Sequence, residues 1–309
     1  MTPTRPARLT GAALSAALTL LAAVWVLKDL AAFGSPSDLA WYWAGDHHFL
    51  LLRGGSATSL VDPVLLVASA ATAVAALRSR HAASAFAATG AVTLALRFPG
   101  LWSHDSAVLV TALLDLALAT ALVGTASLGR GWVTPYDQRP TRPRTGPGVA
   151  AGVLLAVAAL VMAAWELYWV TELPLEITLD RLTGGRSVVK AVLAPPPAWL
   201  SLVLVALYGA AAVSALGRAR HGRAFGLLAG TFLAAGGLAE TARTLRYELV
   251  ARFADIPTAD RLDVLTAGYG LLAGAAVLVL LAGRGVPAAA PSPAGMPSPA
   301  PPSPPPPGW

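Results

Sequence analysis

The chain has 309 residues and a formal net charge of +6, and 56% of its residues are hydrophobic while only 12% are charged. Soluble domains carry about 25% charged residues, so this composition excludes an ordinary soluble domain and indicates several membrane crossings. The chain contains no cysteine, which excludes disulfides, thiolate metal sites and cysteine nucleophiles. Its basic residues lie in short segments between apolar runs, where insertion topology explains them, and this argues against a nucleic-acid partner.

Eight apolar runs predict an all-α, polytopic integral membrane protein. In chain order the predicted transmembrane helices are 11–33, 60–77, 82–98, 106–128, 149–170, 199–216, 224–238 and 262–282. After the first of them, Ser35 and Pro36 predict the start of a short interfacial helix, because serine caps helix N-termini and proline fits the first turn.

The predicted helices divide the chain into two transmembrane halves. The first half covers residues 1–128 and the second covers 148–284, with four helices each. Between them, residues 129–147 form a cytoplasmic linker rich in proline and arginine. The tail 285–309 is dominated by proline, which removes backbone donors, so it is expected to be extended and disordered. Such a tail is also a candidate ligand for a protein partner that recognises proline.

Several sequence features, among them the scarce tryptophan and histidine, recur at a constant spacing of 140 positions. The recurring features are Trp25 and Trp165, Gly90 and Gly230, and the basic turns Arg78-Ser79-Arg80-His81 and Arg218-Ala219-Arg220-His221. Further along, residues 110–112 resemble 265–267 at a spacing of 155, which indicates an insertion in the last outer loop. This pattern predicts an internal duplication in which two parallel four-helix repeats are related by an axis along the membrane normal.

Charge counts on alternating segments predict the orientation. With the N-terminus inside, the inner segments hold 12 basic residues and one acid, whereas the outer segments and helix ends hold 10 basic residues and 13 acids. The positive-inside rule therefore places both termini in the cytoplasm. Abundant arginine and alanine with scarce lysine are typical of a high-GC bacterium, so the predicted location is the bacterial cytoplasmic membrane. The topology determinants, which would also contact lipid headgroups, are Arg78, Arg80, His81, Arg218, Arg220 and His221.

Three ionisable residues are candidates for a ligand site or an ion pathway: Asp115, Glu166 and Arg97. Asp115 lies inside the fourth predicted helix, where a charge is costly and indicates either a function or a buried partner. Glu166 is flanked by aromatic residues, so it is a candidate for binding a cation, for acid–base chemistry, or for pairing with an outer-loop arginine. Arg97 ends the third predicted helix and is expected to form an ion pair that fixes helix packing. Its expected partners are Asp29, Asp105 and Glu240.

The histidines His47, His48 and His104 are the candidate metal ligands, since they lie near carboxylates on one face of the predicted topology. Their spacing matches no metal motif, and no nucleotide-binding or hydrolase signature occurs, so no cofactor is predicted.

The function indicated first is a non-catalytic scaffold or a protein that binds lipid or another small ligand, with membrane lipids as partners. One alternative is a transporter or channel that uses Asp115 within the 4+4 repeat. Another is a membrane-embedded acid–base enzyme acting on a lipid or isoprenoid. A transporter requires Asp115 to face a water-accessible cavity, and an enzyme requires Asp115 and Glu166 to share one pocket.

Overall fold

The computed structural model describes residues 4–46, 56–79, 82–128, 141–142, 145–219, 221–283 and 286–287. These residues form ten α-helices and one 3₁₀ helix, with a two-residue antiparallel pairing between 141–142 and 286–287. The α-helices are α1 Arg5–Phe33, α2 Pro36–Trp43, α3 Val61–Arg78, α4 Ala83–Arg97, α5 Ser106–Leu128, α6 Thr145–Glu172, α7 Leu175–Thr183, α8 Pro197–Leu216, α9 Gly222–Arg246 and α10 Thr258–Ala282.

Seven helices in this part of the chain are long and apolar enough to cross a membrane, namely α1, α3, α5, α6, α8, α9 and α10. The chain is therefore a helical multi-pass membrane protein. Large apolar side chains such as Leu20, Leu272 and Val279 are 66%, 73% and 75% exposed on the outside of the bundle. Lipid would cover such a surface.

The third predicted span differs from the expectation because its helix, α4, has only 15 residues and is not one of the seven. The chain changes to the 3₁₀ helix Phe98–Trp102 directly after Arg97. Pro99 has no N–H, so it cannot donate to the Ala95 carbonyl as an α-helix would require. That carbonyl instead accepts a hydrogen bond of 2.8 Å from the Trp199 indole of α8.

The helices of the two halves pack in the same order. In the first half α1 packs against α3 and α5, and α4 packs against α5. In the second half α6 packs against α8 and α10, and α9 packs against α10. The main apolar core lies between the halves, where α3 and α4 meet α6, α8, α9 and α10 around the fully buried Tyr208.

The helix α9 continues to Arg246, beyond the predicted end of its span at residue 238. The additional turns carry Glu240 and Arg243, which are three positions apart and form an ion pair. Neighbouring opposite charges at this spacing stabilise a helix that continues into a polar environment. Hydropathy marks the end of the apolar run at residue 238, and the amphipathic residues that follow extend the helix beyond that run.

Candidate functional site

A buried ion cluster joins three helices of the first half. Arg97 is 5% exposed, and Asp62 and Asp115 are 1% and 5% exposed. The Arg97 Nη2 donates to Asp62 Oδ1 at 2.6 Å, and its Nε lies 2.9 Å from Asp115 Oδ2. The Nη1 donates to the Leu193 carbonyl at 3.2 Å. The cluster thus ties α3, α4 and α5 to the loop that precedes α8.

A further buried carboxylate, Asp29 of α1, holds the segment before α3. Its oxygens accept hydrogen bonds from the Ser56 hydroxyl, from the Ala57 amide at 3.2 Å and from the Thr58 amide at 2.6 Å. The Ala57 carbonyl accepts from the Leu193 amide at 2.8 Å. Asp29 therefore has its acceptors occupied by the chain's own donors, and its role is to fix this end of the bundle.

A cavity of about 580 Å³ lies in the second half, lined by residues of α6, α7, α8, α9 and α10. Ala158, Val161, Met162 and Leu233 form its apolar part. Most of the remaining lining side chains are aromatic or charged, among them Glu166. Cavities of about 300–1,000 Å³ are the size at which proteins bind small molecules.

Glu166 forms an ion pair beside three aromatic rings of the cavity. Arg181 Nη2 donates to Glu166 Oε1 at 3.1 Å, and both side chains are 14% exposed. The Arg181 Cζ lies 5.5 Å from the Trp169 ring centroid. Trp165 and Tyr168 pack edge to face at 5.6 Å, and Trp165 stacks on Trp169 at 6.4 Å. Pairing with an arginine from the segment after its helix is one of the roles that the sequence indicated for Glu166, and this ion pair is present.

Further charges line the cavity from α9 and α10. Arg243 forms ion pairs with Glu240 and, at 3.5 Å, with Asp263. Asp260 lies one turn before Asp263 and also lines the cavity. Asp260 is exposed, and the described part of the chain offers it no hydrogen-bond donor or ion-pair partner.

The short helix α7 carries Arg181 to the cavity and is held at its C-terminal end. The Trp102 indole donates to the Thr183 carbonyl at 2.9 Å. Asp180 of α7 accepts hydrogen bonds from Ser187 in the loop that follows, from its hydroxyl at 2.7 Å and its amide at 3.0 Å, and these bonds hold the pKa of Asp180 below its usual range. In the same loop, burial lowers the pKa of Lys190, whose ammonium donates to a backbone carbonyl.

The structure separates the three ionisable candidates into two places. Arg97 and Asp115 lie together in the buried cluster, and neither of them lines the cavity, whereas Glu166 does. Arg97 pairs with Asp62 and Asp115, so all three expected partners were wrong. Asp62 was detectable, because it lies 18 residues before position 80 and Arg97 lies 17 residues after it. A helical hairpin that turns at position 80 places the Asp62 and Arg97 side chains at the same height along its two helices.

The remaining candidates show no assembled site in the residues that the structure describes. His104 is exposed, and no group of three or more metal-ligating side chains occurs there. Arg78 is exposed at the end of α3, and His221 packs edge to face on Phe225 at 5.9 Å. Outside the described residues lie His47, His48, Arg80, His81, Arg220, most of the linker and nearly all of the tail.

No protein-family model, curated protein or solved structure matches the chain. The geometry of the chain's own residues is therefore the basis for its function. From the sequence alone, Asp260, Asp263 and Arg243 belong only to the count of outer or helix-end charges. The available signal was that Asp260 and Asp263 are three residues apart at the start of the last apolar run.

Proposed function

We propose that this multi-pass membrane protein holds a small amphiphilic ligand, a lipid or a molecule of similar size, without changing it chemically. The observation that supports the proposal is the cavity of about 580 Å³, which joins an apolar wall to a charged and aromatic end. An amphiphile matches both parts, because its chain is removed from water and its polar group meets Glu166 and the neighbouring charges.

The same geometry favours ligand binding over the two alternatives. A transporter built on Asp115 needs that carboxylate to face water, but Asp115 is 5% exposed and paired with Arg97. An enzyme that uses Asp115 and Glu166 on one substrate needs both in one pocket, and only Glu166 lines the cavity.

For the architecture we propose eight spans in two parallel four-helix repeats, with both termini cytoplasmic in a bacterial cytoplasmic membrane. The contacts of α4 support its crossing. Near its start, Phe86 packs on Gly11 of α1, and at its end Arg97 reaches Asp62. Together, α4 and the 3₁₀ helix extend without interruption over residues 83–102. In this arrangement the basic turns contact membrane lipids, and the tail is free to meet a protein partner.

Matching contacts in the two halves support the repeat. The Trp25 indole donates to the Thr111 hydroxyl at 3.2 Å, and the Trp165 indole donates to the Thr266 hydroxyl at 3.2 Å. These pairs join positions that correspond at spacings of 140 and 155. Gly90 and Gly230 likewise face Val123 and Leu278, again 155 positions apart.

The proposal is tested by purifying the protein with its native lipid and identifying the bound small molecules by mass spectrometry. Ala158→Phe fills the cavity and should abolish retention of a ligand that the wild-type protein carries. Val157→Phe is the matched control, since Val157 is 39% exposed on the outside of the same helix. Ser201→Trp, which enters the cavity from α8, is a second blocking variant. Identical bound molecules in equal amounts in all four proteins would contradict the proposal.

A further inference from the structure

We propose that the polar part of the ligand is an organic cation, a protonated amine or a quaternary ammonium group attached to an apolar chain. The inference deepens the proposed function and rests on it, because it concerns the same cavity. Three features of the cavity carry it: an excess of carboxylates, an aromatic wall, and an internal guanidinium that already occupies part of that wall.

The charges that line the cavity leave a negative excess. Glu166, Asp260 and Asp263 provide three carboxylates, whereas Arg181 and Arg243 provide two guanidinium groups. The formal charge of the lining is therefore −1. Arg243 also pairs with Glu240, which does not line the cavity. Part of the Arg243 charge is therefore neutralised from outside the lining, and this increases the negative excess within the cavity. Charge of one sign in a cavity with low-dielectric walls attracts a ligand of the opposite sign.

Asp260 is the carboxylate available to such a ligand. It is exposed and has no ion-pair partner among the described residues, while Glu166 and Asp263 have Arg181 and Arg243. A cation that binds there gains the attraction of Asp260 without breaking an existing ion pair.

The aromatic wall is suited to the same group. An ammonium or guanidinium group is attracted to the face of an indole ring, most strongly when water is excluded. Arg181 shows this chemistry in place, since its Cζ lies 5.5 Å from the Trp169 centroid while it pairs with Glu166. Trp165 stacks on Trp169 and extends this surface toward the apolar part of the cavity.

In the first half, the tryptophan that corresponds to Trp165 makes a cation–π contact. There the Lys28 ammonium lies 4.5 Å from the Trp25 ring centroid. Positions 25 and 28 correspond to Trp165 and Tyr168 at the spacing of 140. Tyr168 cannot supply a positive charge, so in the second half an external cation is the group that would complete the equivalent contact.

The test uses the full-length protein in a maltoside detergent and three probes with the same decyl chain. One ends in trimethylammonium, one in the neutral isosteric tert-butyl group and one in sulfate, and binding is measured by native mass spectrometry below the micellar concentration of each probe. We expect the ammonium probe to bind about tenfold more tightly than the tert-butyl probe, and the sulfate probe to bind least.

Asp260→Asn should remove most of the preference for ammonium over tert-butyl and leave tert-butyl binding unchanged. Asp255→Asn is the matched control, because it removes the same charge from an exposed residue that does not line the cavity. Thermal unfolding of both variants checks that each is folded.

The outcomes separate the two proposals. Equal or tighter binding of the tert-butyl or sulfate probe, lost in Ala158→Phe, would overturn the cation assignment and keep the ligand-binding function. No binding of any probe, together with unchanged native ligands in Ala158→Phe, would overturn both. If the native ligand is identified, its mass distinguishes an amine-bearing lipid from a free alkylamine.

Discussion

At the scale of single residues, the cluster of Arg97, Asp62 and Asp115 shows how buried charges of the first half stabilise one another. A guanidinium that is 5% exposed has lost nearly all its hydration, and only its partners can offset that cost. Arg97 has three, of which Asp62 and Asp115 are charged and the Leu193 carbonyl is neutral. Because each carboxylate also depends on Arg97, the three side chains form one unit, and removing one charge is not equivalent to removing all.

We expect Arg97→Met to lower the free energy of unfolding by about 3 kcal/mol or more, since it leaves two buried carboxylates without their cation. The triple variant with Asp62→Asn and Asp115→Asn carries no charge at the cluster and should recover part of that loss. Unfolding by SDS in mixed micelles measures both. A triple variant no more stable than Arg97→Met would show that lost packing, and not unpaired charge, causes the effect.

At the scale of elements, glycines bring α9 and α10 into backbone contact. A Cβ at Gly237 would lie 2.1 Å from the Leu271 nitrogen, and a Cβ at Gly274 would lie 2.3 Å from the Ala234 nitrogen. Such close approach is the usual means by which membrane helices gain dispersion contacts, because lipid already solvates apolar side chains. The spacing of small residues in both helices is typical of such packing, but it does not say which helix is the partner.

Adjacent glycines of α9 provide a matched test of this interface. Gly237→Ala should destabilise the protein by about 1–3 kcal/mol, because the added methyl group forces the helices apart. Gly236 has no atom within 4 Å of an added Cβ, so Gly236→Ala should be neutral or stabilising by up to about 1 kcal/mol through helix propensity. Thermal unfolding in detergent measures both variants. Equal destabilisation by the two would contradict the packing described.

At the scale of the whole molecule, the two halves differ at two pairs of positions that the proposed repeat makes equivalent. Positions 97 and 115 hold the Arg97–Asp115 ion pair in the first half. The corresponding positions 237 and 270, at spacings of 140 and 155, hold glycines whose backbones touch. Gly270 also lines the cavity. If the halves arose by duplication, the first half has a buried ion pair at these positions, whereas the second half has the cavity beside the closely packed helices α9 and α10.

The proposed topology predicts which loops face outward. The chain has no cysteine, so single cysteines report without background. With eight spans, Arg186→Cys should react with a membrane-impermeant maleimide in intact cells and Ser79→Cys should not. If α4 does not cross, seven spans place both positions inside and neither reacts. Reaction at position 79 would reverse the orientation. Permeabilised cells provide the control that both cysteines are accessible.

The amino-acid sequence by itself determined the properties that depend on neighbouring residues. Hydropathy identified a helical membrane protein, and Ser35 with Pro36 marked the start of α2, where the Ser35 hydroxyl accepts from the Asp38 amide. The aromatic neighbours of Glu166 also pointed to the region in which the structure has a cavity. Each of these depends on residues within a few turns of one another, where spacing along the chain fixes spacing in space.

Only the tertiary structure decided the contacts between distant helices. Arg97 pairs with Asp62 and Asp115 because the α3–α4 hairpin and α5 bring these two carboxylates next to its guanidinium group. The cavity exists because residues of five helices surround one space. A residue's spacing along its own helix says which face it occupies but not which helix that face meets, and that choice is made by the packing of the whole bundle.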